Sequence, residues 1–224
     1  MKNSDIRRER PPRKSSFLKR IFVFLVVIVM IAGAGAAAGF FVSVSKHLPD
    51  VTANIQPNAS SRIYDDKGRL ITTVHAEENR IPVPITEVPQ NLQNAFVAAE
   101  DVRFYEHHGI DPRGILRAVW NNVLSRNATG QGGSTITQQL ARNAFLTQEQ
   151  TLKRKLLEVV LALQIENKYT KKQILEMYMN QIYFGQGCYG IQTASRVYFG
   201  KDVKDLTLPQ CAMLAGLPNS PNYY

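Results

Sequence analysis

Glu100-Asp101-Val102-Arg103-Phe104-Tyr105-Glu106-His107-His108-Gly109 follows directly on an apolar run from Leu92 to Ala99. At helical spacing Leu92, Phe96, Ala99 and Arg103 share one face. Glu100 lies one turn after Phe96, so the pattern places it at the edge of that buried face. A carboxylate beside apolar side chains is poorly solvated in its charged form, and such an environment can make a Glu a general acid or base near neutral pH. The decapeptide alone leaves a second reading open, a charged last turn of an ordinary helix.

Working back toward the N-terminus, Pro82, Pro84 and Pro89 keep the approach to this helix extended. Before them, Arg62-Ile63-Tyr64 and Arg69 to Val74 flank Asp65-Asp66-Lys67-Gly68, the pattern of a β-hairpin. Pro49, Pro57 and the cluster from Asn58 to Ser61 read as a linker. Further back, Ile21 to Val44 contains no charged residue, and about 20 apolar residues suffice to cross a bilayer as a helix. Residues 1–20 carry eight Lys or Arg against Asp5 and Glu9, which is +6 of the net +9. The positive flank orients the N-terminus to the cytoplasm and the body outward. A cleaved signal peptide is the rival, since Ala34 to Ala38 is small enough to be cut. Phe40, Phe41 and Val42 continue the apolar run past those residues and favour a retained anchor. The basic tail argues for a membrane surface; no nucleic-acid reader motif accompanies it.

After Gly109, Asp111-Pro112 is a helix start. Ile115, Val119 and Val123 recur on one face with Leu116 and Trp120 beside them, which suits a core helix or a surface that dips into lipid. Gly132-Gly133-Ser134-Thr135 opens another helix, through Gln139 to Arg142 and Asn143. A helix N-terminus with free backbone donors can hold an anion, and Arg142 adds a cation suited to phosphate. The Gly-Lys-Ser/Thr ending of a nucleotide P-loop is missing. Thr147-Gln148-Glu149-Gln150 reads as a capping box for a helix to about Asn167. That helix is apolar nearly all round, with a stripe of Leu152, Leu156, Val159, Val160 and Leu163, and is expected at the centre. Arg154, Lys155 and Glu158 interrupt it on one arc, which Leu161, Ala162 and Ile165 continue. This reads as a surface salt bridge or as a charged cleft. Thr170 with Gln173 caps a helix over 171–180, and further helices follow over 191–198 and from Leu208 to Gly216. Cys188 and Cys211 are expected to be free thiols, and without neighbouring His they make no zinc site.

In order along the chain stand Glu-Asp-x-x-Phe-x-x-His-x-Gly at 100–109, Gly-Gly-Ser-Thr-Ile-Thr-Gln-Gln at 132–139 and Arg-Lys-x-x-Glu at 154–158. Ile-Leu-Glu-x-Tyr-x-Asn at 174–180 and Ala-x-Leu-Ala-Gly-Leu-Pro at 212–218 complete the set. These five motifs resemble the peptidoglycan glycosyltransferase domain of class A penicillin-binding proteins, over roughly Ser60 to Tyr224. The resemblance implies a mainly α, lysozyme-like fold with a small β-hairpin connector, preceded by one transmembrane helix. It divides the chain into a basic cytoplasmic tail (1–20), an anchor (21–44), a linker (45–59) and the catalytic domain (60–224). It also implies that residues 115–124 hug the membrane.

The implied reaction joins lipid II to a lipid-linked glycan chain through a β-1,4 bond, with polyprenyl pyrophosphate leaving. By resemblance Glu100 is the base that deprotonates the acceptor hydroxyl. Arg142, Arg154 and Lys155 neutralise pyrophosphate, and Glu158 orients those cations or holds a divalent metal, Mg2+ or Mn2+. Asp101, Phe104, His107, Thr135, Gln139 and Asn143 match positions that shape the sugar sites. Position 142 is Lys in some relatives, and Arg keeps the charge. The cell membrane and other cell-wall synthesis proteins are the implied partners. A lysozyme-like murein hydrolase and a non-catalytic membrane scaffold are the alternatives. The first leaves the cations unexplained, and the second does not require Glu100 and Glu158 together. Ser16-Phe17-Leu18-Lys19 and Ser43-Val44-Ser45-Lys46 match a bare transpeptidase Ser-x-x-Lys, but no Lys-Ser/Thr-Gly exists in the chain. The ending at Asn219 to Tyr224 reads as the middle of a loop, so the chain is expected to be a fragment of a longer enzyme.

Overall fold

The computed structural model describes residues 15–45, 51, 61–74, 79–125, 133–146 and 151–219. The elements, in chain order, are α1 (Ser15–Ser45), β1 (Ser61–Tyr64), β2 (Leu70–Val74), β3 (Asn79–Arg80), α2 (Gln90–Glu100), α3 (Pro112–Ser125) and α4 (Ile136–Phe145). Then come α5 (Leu152–Lys168), α6 (Lys171–Gln181), β4 (Cys188–Tyr189), α7 (Ile191–Phe199) and α8 (Leu208–Gly216). The chain divides into two compact units, 1–48 and 49–224.

The first unit holds α1, whose apolar side chains from Ile21 to Ile31 are exposed. Among the described residues no helix is long and apolar enough to cross a membrane. The basic tail before Ser15 and most of the linker lie outside the described residues.

In the second unit β1 and β2 pair antiparallel as the hairpin pattern requires. The Asp65 carboxylate accepts the N–H groups of Lys67 and Arg69, and Gly68 takes the positive φ of the turn. The Pro-rich approach is not wholly extended, since a 3-10 turn covers Ile85–Glu87. A short parallel pairing of β3 with β4 was not foreseen. Polar side chains of α6 and α7 hold this approach. Asn180 exchanges both amide bonds with the Val83 backbone, Thr193 accepts from Ile81 N–H, and Glu176 accepts from Ile85 N–H. Gly190 permits it: at φ +80, any Cβ there would stand 2.8 Å from the Asn180 carbonyl.

The core is helical. Leu92, Phe96, Ile136, Leu140, Leu161, Ile165, Ile174, Leu175 and Tyr178 are fully buried. Phe96 meets Tyr178 and Phe184 edge-on, each at 6.1 Å. Three helices begin with a reciprocal capping box: Thr135 with Gln138, Thr170 with Gln173 and Thr207 with Gln210. The box expected at 147–150 lies outside the described residues, and α5 is instead capped by Thr151, whose hydroxyl accepts the Arg154 N–H. The expected apolar stripe of α5 is also corrected. Leu152 and Leu156 are exposed, Val159 and Leu163 are half-buried and only Val160 of that stripe is buried; the buried arc is Glu158, Leu161, Ala162 and Ile165. That arc is the one the cations interrupt, and packing against α4 and α6 selects it. Among the described side chains of helix α3, Ile115, Leu116 and Trp120 stand 41%, 70% and 65% exposed, which does not suit a core helix.

Candidate active site

A cleft of about 400 Å³ opens between the end of α2, the loop after it, α3 and the start of α4. Glu100, Asp101, Thr135, Gln139 and Arg142 line it. Helix α2 delivers Glu100 because Leu92 and Phe96 are driven fully into the core, and the carboxylate is left half-buried at the rim, as the spacing requires. Ala99, expected on the buried face, is exposed. One oxygen of Glu100, Oε2, accepts the Gln139 amide at 2.8 Å; the other, Oε1, has no hydrogen-bond partner.

Asp101, also in the cleft wall, turns its carboxylate into the protein. Its side chain is 3% exposed and accepts from His107 Nε2 at 2.9 Å and from the Ile136 N–H at 3.1 Å. The Thr135 hydroxyl takes the Gln138 N–H of the same helix turn. The N-terminus of α4 is therefore already occupied by an internal carboxylate and a hydroxyl. This corrects the expectation that its backbone donors are free for an anionic ligand. Thr135 also donates to the Gly109 carbonyl at 2.7 Å, which pins the end of the loop. Gly109 has φ +80, and a Cβ there would sit 3.0 Å from the Ala162 carbonyl, so only glycine lets the loop lie against α5. Phe104 and His107 are buried behind the cleft rather than lining it, with Lys171 Nζ 4.5 Å from the Phe104 ring centre. They shape the loop from within.

The cations form a second cluster. Glu158 is 1% exposed, Arg154 Nε stands 3.1 Å from its Oε1, and Lys155 Nζ stands 2.8 Å from its Oε2. A surface salt bridge is thereby ruled out. Lys155 also donates to the Ser134 hydroxyl, which lines the cleft, so Ser134 connects the two clusters. Arg142 lines the cleft and makes no ion pair among the described residues, which leaves its guanidinium available to an anion. Asn143 is exposed and does not line the cleft. A divalent metal fits poorly at Glu158, because both carboxylate oxygens already face cations. Among the described residues no three His, Cys, Asp or Glu gather as a metal site.

Sequence reading missed several lining residues. Arg103 and Asp111 close one corner through a 2.5 Å ion pair. Burial opposes the Asp111 carboxylate, but the Gly114 N–H and the Arg103 guanidinium outweigh it and hold its pKa below the ordinary aspartate value. Arg117 and Asn121 face the cleft from α3, and Pro218 and Asn219 reach it from the far end of the chain. Charge at helical spacing on 113–121 was the available signal for Arg117; none existed for Asn219. Cys188 and Cys211 are free and buried, and burial raises both thiol pKa values.

The model of the transglycosylase family matches residues 67–224. The chain belongs to the transglycosylase family. It is 46% identical over 207 residues to penicillin-binding protein 1A of Escherichia coli and 44% identical over 206 residues to penicillin-binding protein 1F of Bacillus subtilis. Each match covers 92% of this chain but only 24% and 29% of those relatives, so the chain spans about a quarter of their length. The crystal structure of penicillin-binding protein 1A from Haemophilus influenzae matches with 26% identity and a TM-score of 0.36. That match covers 74% of this chain and 15% of the other. The matched span contains all five motifs and both clusters of the cleft.

Proposed function

We propose that this transglycosylase polymerises lipid II into β-1,4-linked glycan strands, with release of polyprenyl pyrophosphate. The observation that supports it most is the pairing of environments in one cleft. A half-buried Glu100 with one unpartnered oxygen shares the wall with Arg142, next to the Ser134–Lys155–Glu158–Arg154 cluster. In the proposed step Glu100 takes the proton of the acceptor hydroxyl as that oxygen forms its bond to the donor's anomeric carbon. The bond from that carbon to pyrophosphate breaks, and configuration inverts. The leaving group needs no proton where Arg142, Arg154 and Lys155 neutralise it. Glu158 keeps Arg154 and Lys155 in place, and no step is routed through a metal. A binding scaffold has no use for a buried carboxylate oxygen left without a partner.

The test is polymerisation of labelled lipid II by the full-length protein and its Glu100→Gln variant. General-base catalysis contributes 10²–10⁴-fold, so turnover should fall by about that factor with the melting temperature unchanged. Near wild-type polymerisation by Glu100→Gln would remove the base. Release of short sugars from finished glycan, without polymer, would make the protein a hydrolase.

The same reading makes Ile21 to Val44 a retained membrane anchor with the catalytic domain outside the cytoplasm. It rests on the charge-free span and its basic flank. N-terminal sequencing of membrane-extracted protein should find the span intact; a start after Ala38 would overturn it. Other cell-wall synthesis proteins are the partners this placement favours.

A further inference from the structure

Tyr178 lies in the core of α6, fully buried, and its hydroxyl is 3.3 Å from Gln139 Oε1. Gln139 in turn gives its amide N–H to Glu100 Oε2 at 2.8 Å. The direction of each bond follows from chemistry. A carboxylate accepts only, so the amide nitrogen of Gln139 must face Glu100. The amide oxygen then faces Tyr178, and the phenol must donate. It keeps its proton to do so: burial first, then the charge of Glu100, push the phenol well above its ordinary range, with Arg142 pulling weakly the other way. Three residues from α6, α4 and α2 thus form a one-directional chain of hydrogen bonds ending on one oxygen of Glu100.

We propose that Tyr178 is a positioning residue for the base: through Gln139 it holds Glu100 Oε2 and so fixes the carboxylate at the wall of the cleft. This rests on the base assigned to Glu100 above. Without the phenol, the Gln139 amide loses the partner that holds its oxygen, and the amide and the Glu100 oxygen it donates to can move together off their station. The acceptor hydroxyl transfers its proton to the carboxylate so held: its O–H bond breaks and a new O–H bond forms on Glu100. Tyr178 does not line the cleft and touches no substrate.

The experiment uses full-length protein, lipid II and four proteins: wild type, Tyr178→Phe, Gln139→Ala and the double variant, with Glu100→Gln beside them. Phe keeps the ring and its edge contact with Phe96, so the melting temperature should hold. In Tyr178→Phe, kcat should fall about tenfold, the size of one lost oriented hydrogen bond, with KM unchanged. In the Gln139→Ala background, Tyr178→Phe should cost nothing further, since its only route to Glu100 is gone. Unchanged kcat in Tyr178→Phe would overturn the proposal, as would a full tenfold loss persisting on top of Gln139→Ala. If Glu100→Gln polymerises normally, the base itself is misassigned and the proposal falls with it; if Glu100→Gln is dead and the Tyr178 coupling is absent, only the proposal falls.

Discussion

The two walls of the cleft are built in opposite ways. On one side the loop from Asp101 to Asp111 is held by polar groups that have almost no solvent. Asp101 joins His107 to the first turn of α4, and Thr135 holds Gly109. Glu166 accepts from both Thr137 and Lys171 behind them. On the other side α3 buries only Gly114 among its described residues and turns Ile115, Leu116 and Trp120 outward. The Arg103–Asp111 pair stands between the two. The difference separates tasks. The base and cations proposed here would need fixed geometry, which satisfied buried networks supply. An exposed apolar helix contributes little to folding and is free to meet something outside the protein.

The largest effect is expected where the rigid wall is broken. Asp101→Ala leaves the His107 imidazole and the Ile136 N–H buried without an acceptor. Stripping one partner from such a network costs about 3 kcal/mol. Thermal or urea unfolding of the variant should register that loss, together with loss of polymerisation. A drop of under 0.5 kcal/mol would mean that the loop is held by apolar packing and that the polar ties are incidental.

Which parts of this contrast could be read from the chain depends on the physics involved. Periodicity located α2, α6, α7 and α8 to within two residues, because Phe96, Tyr178 and their neighbours must reach one core. The hairpin was legible because Gly68 and Asp65 specify their turn locally. Glu100 at a rim was legible for the same reason as α2. The buried arc of α5 was not, since a helix apolar nearly all round does not say which side is covered; α4 and α6 decide that. Asp101 filling the N-terminus of α4 was also hidden, because the two meet only across 35 positions of sequence. Asn219 entering the cleft and the β3–β4 pairing are hidden in the same way.

A smaller effect is expected at the corner between the walls. The Asp111 pKa is depressed in the folded protein, so its contribution to stability is present above the unfolded value of about 3.9. It is lost as pH falls through the lower, folded value. Arg103→Gln removes the guanidinium that helps hold it there. At this cleft edge the change should be about 0.5 kcal/mol at neutral pH and should shrink as pH falls through the lowered, folded value. Urea unfolding followed from pH 7 down to where Asp111 is fully protonated checks it. A difference that persists at the lower pH would assign the role of Arg103 to packing rather than charge.

The smallest effect on folding is expected on α3, and it is there that the contrast is sharpest. The 224-residue chain contains one Trp, and it stands 65% exposed at position 120, one helical turn beyond Leu116 at 70%. Were α3 a core helix, Trp120→Ser would open a cavity worth about 3–5 kcal/mol. Exposed as it is, the substitution should change unfolding free energy by no more than about 0.5 kcal/mol. The expected role is contact with lipid, since an amphipathic ring at the interface gains from burial that the protein itself does not provide. In protein reconstituted into liposomes, Trp120 emission should be quenched by bromine-labelled lipid and shielded from iodide in the aqueous phase. Lipid II polymerisation by Trp120→Ser should then weaken in membranes and recover in detergent, where no bilayer has to be met. Quenching by iodide alone would place the α3 face in water and end the membrane reading. A destabilisation of several kcal/mol would place it against protein, and the two walls of the cleft would then be alike.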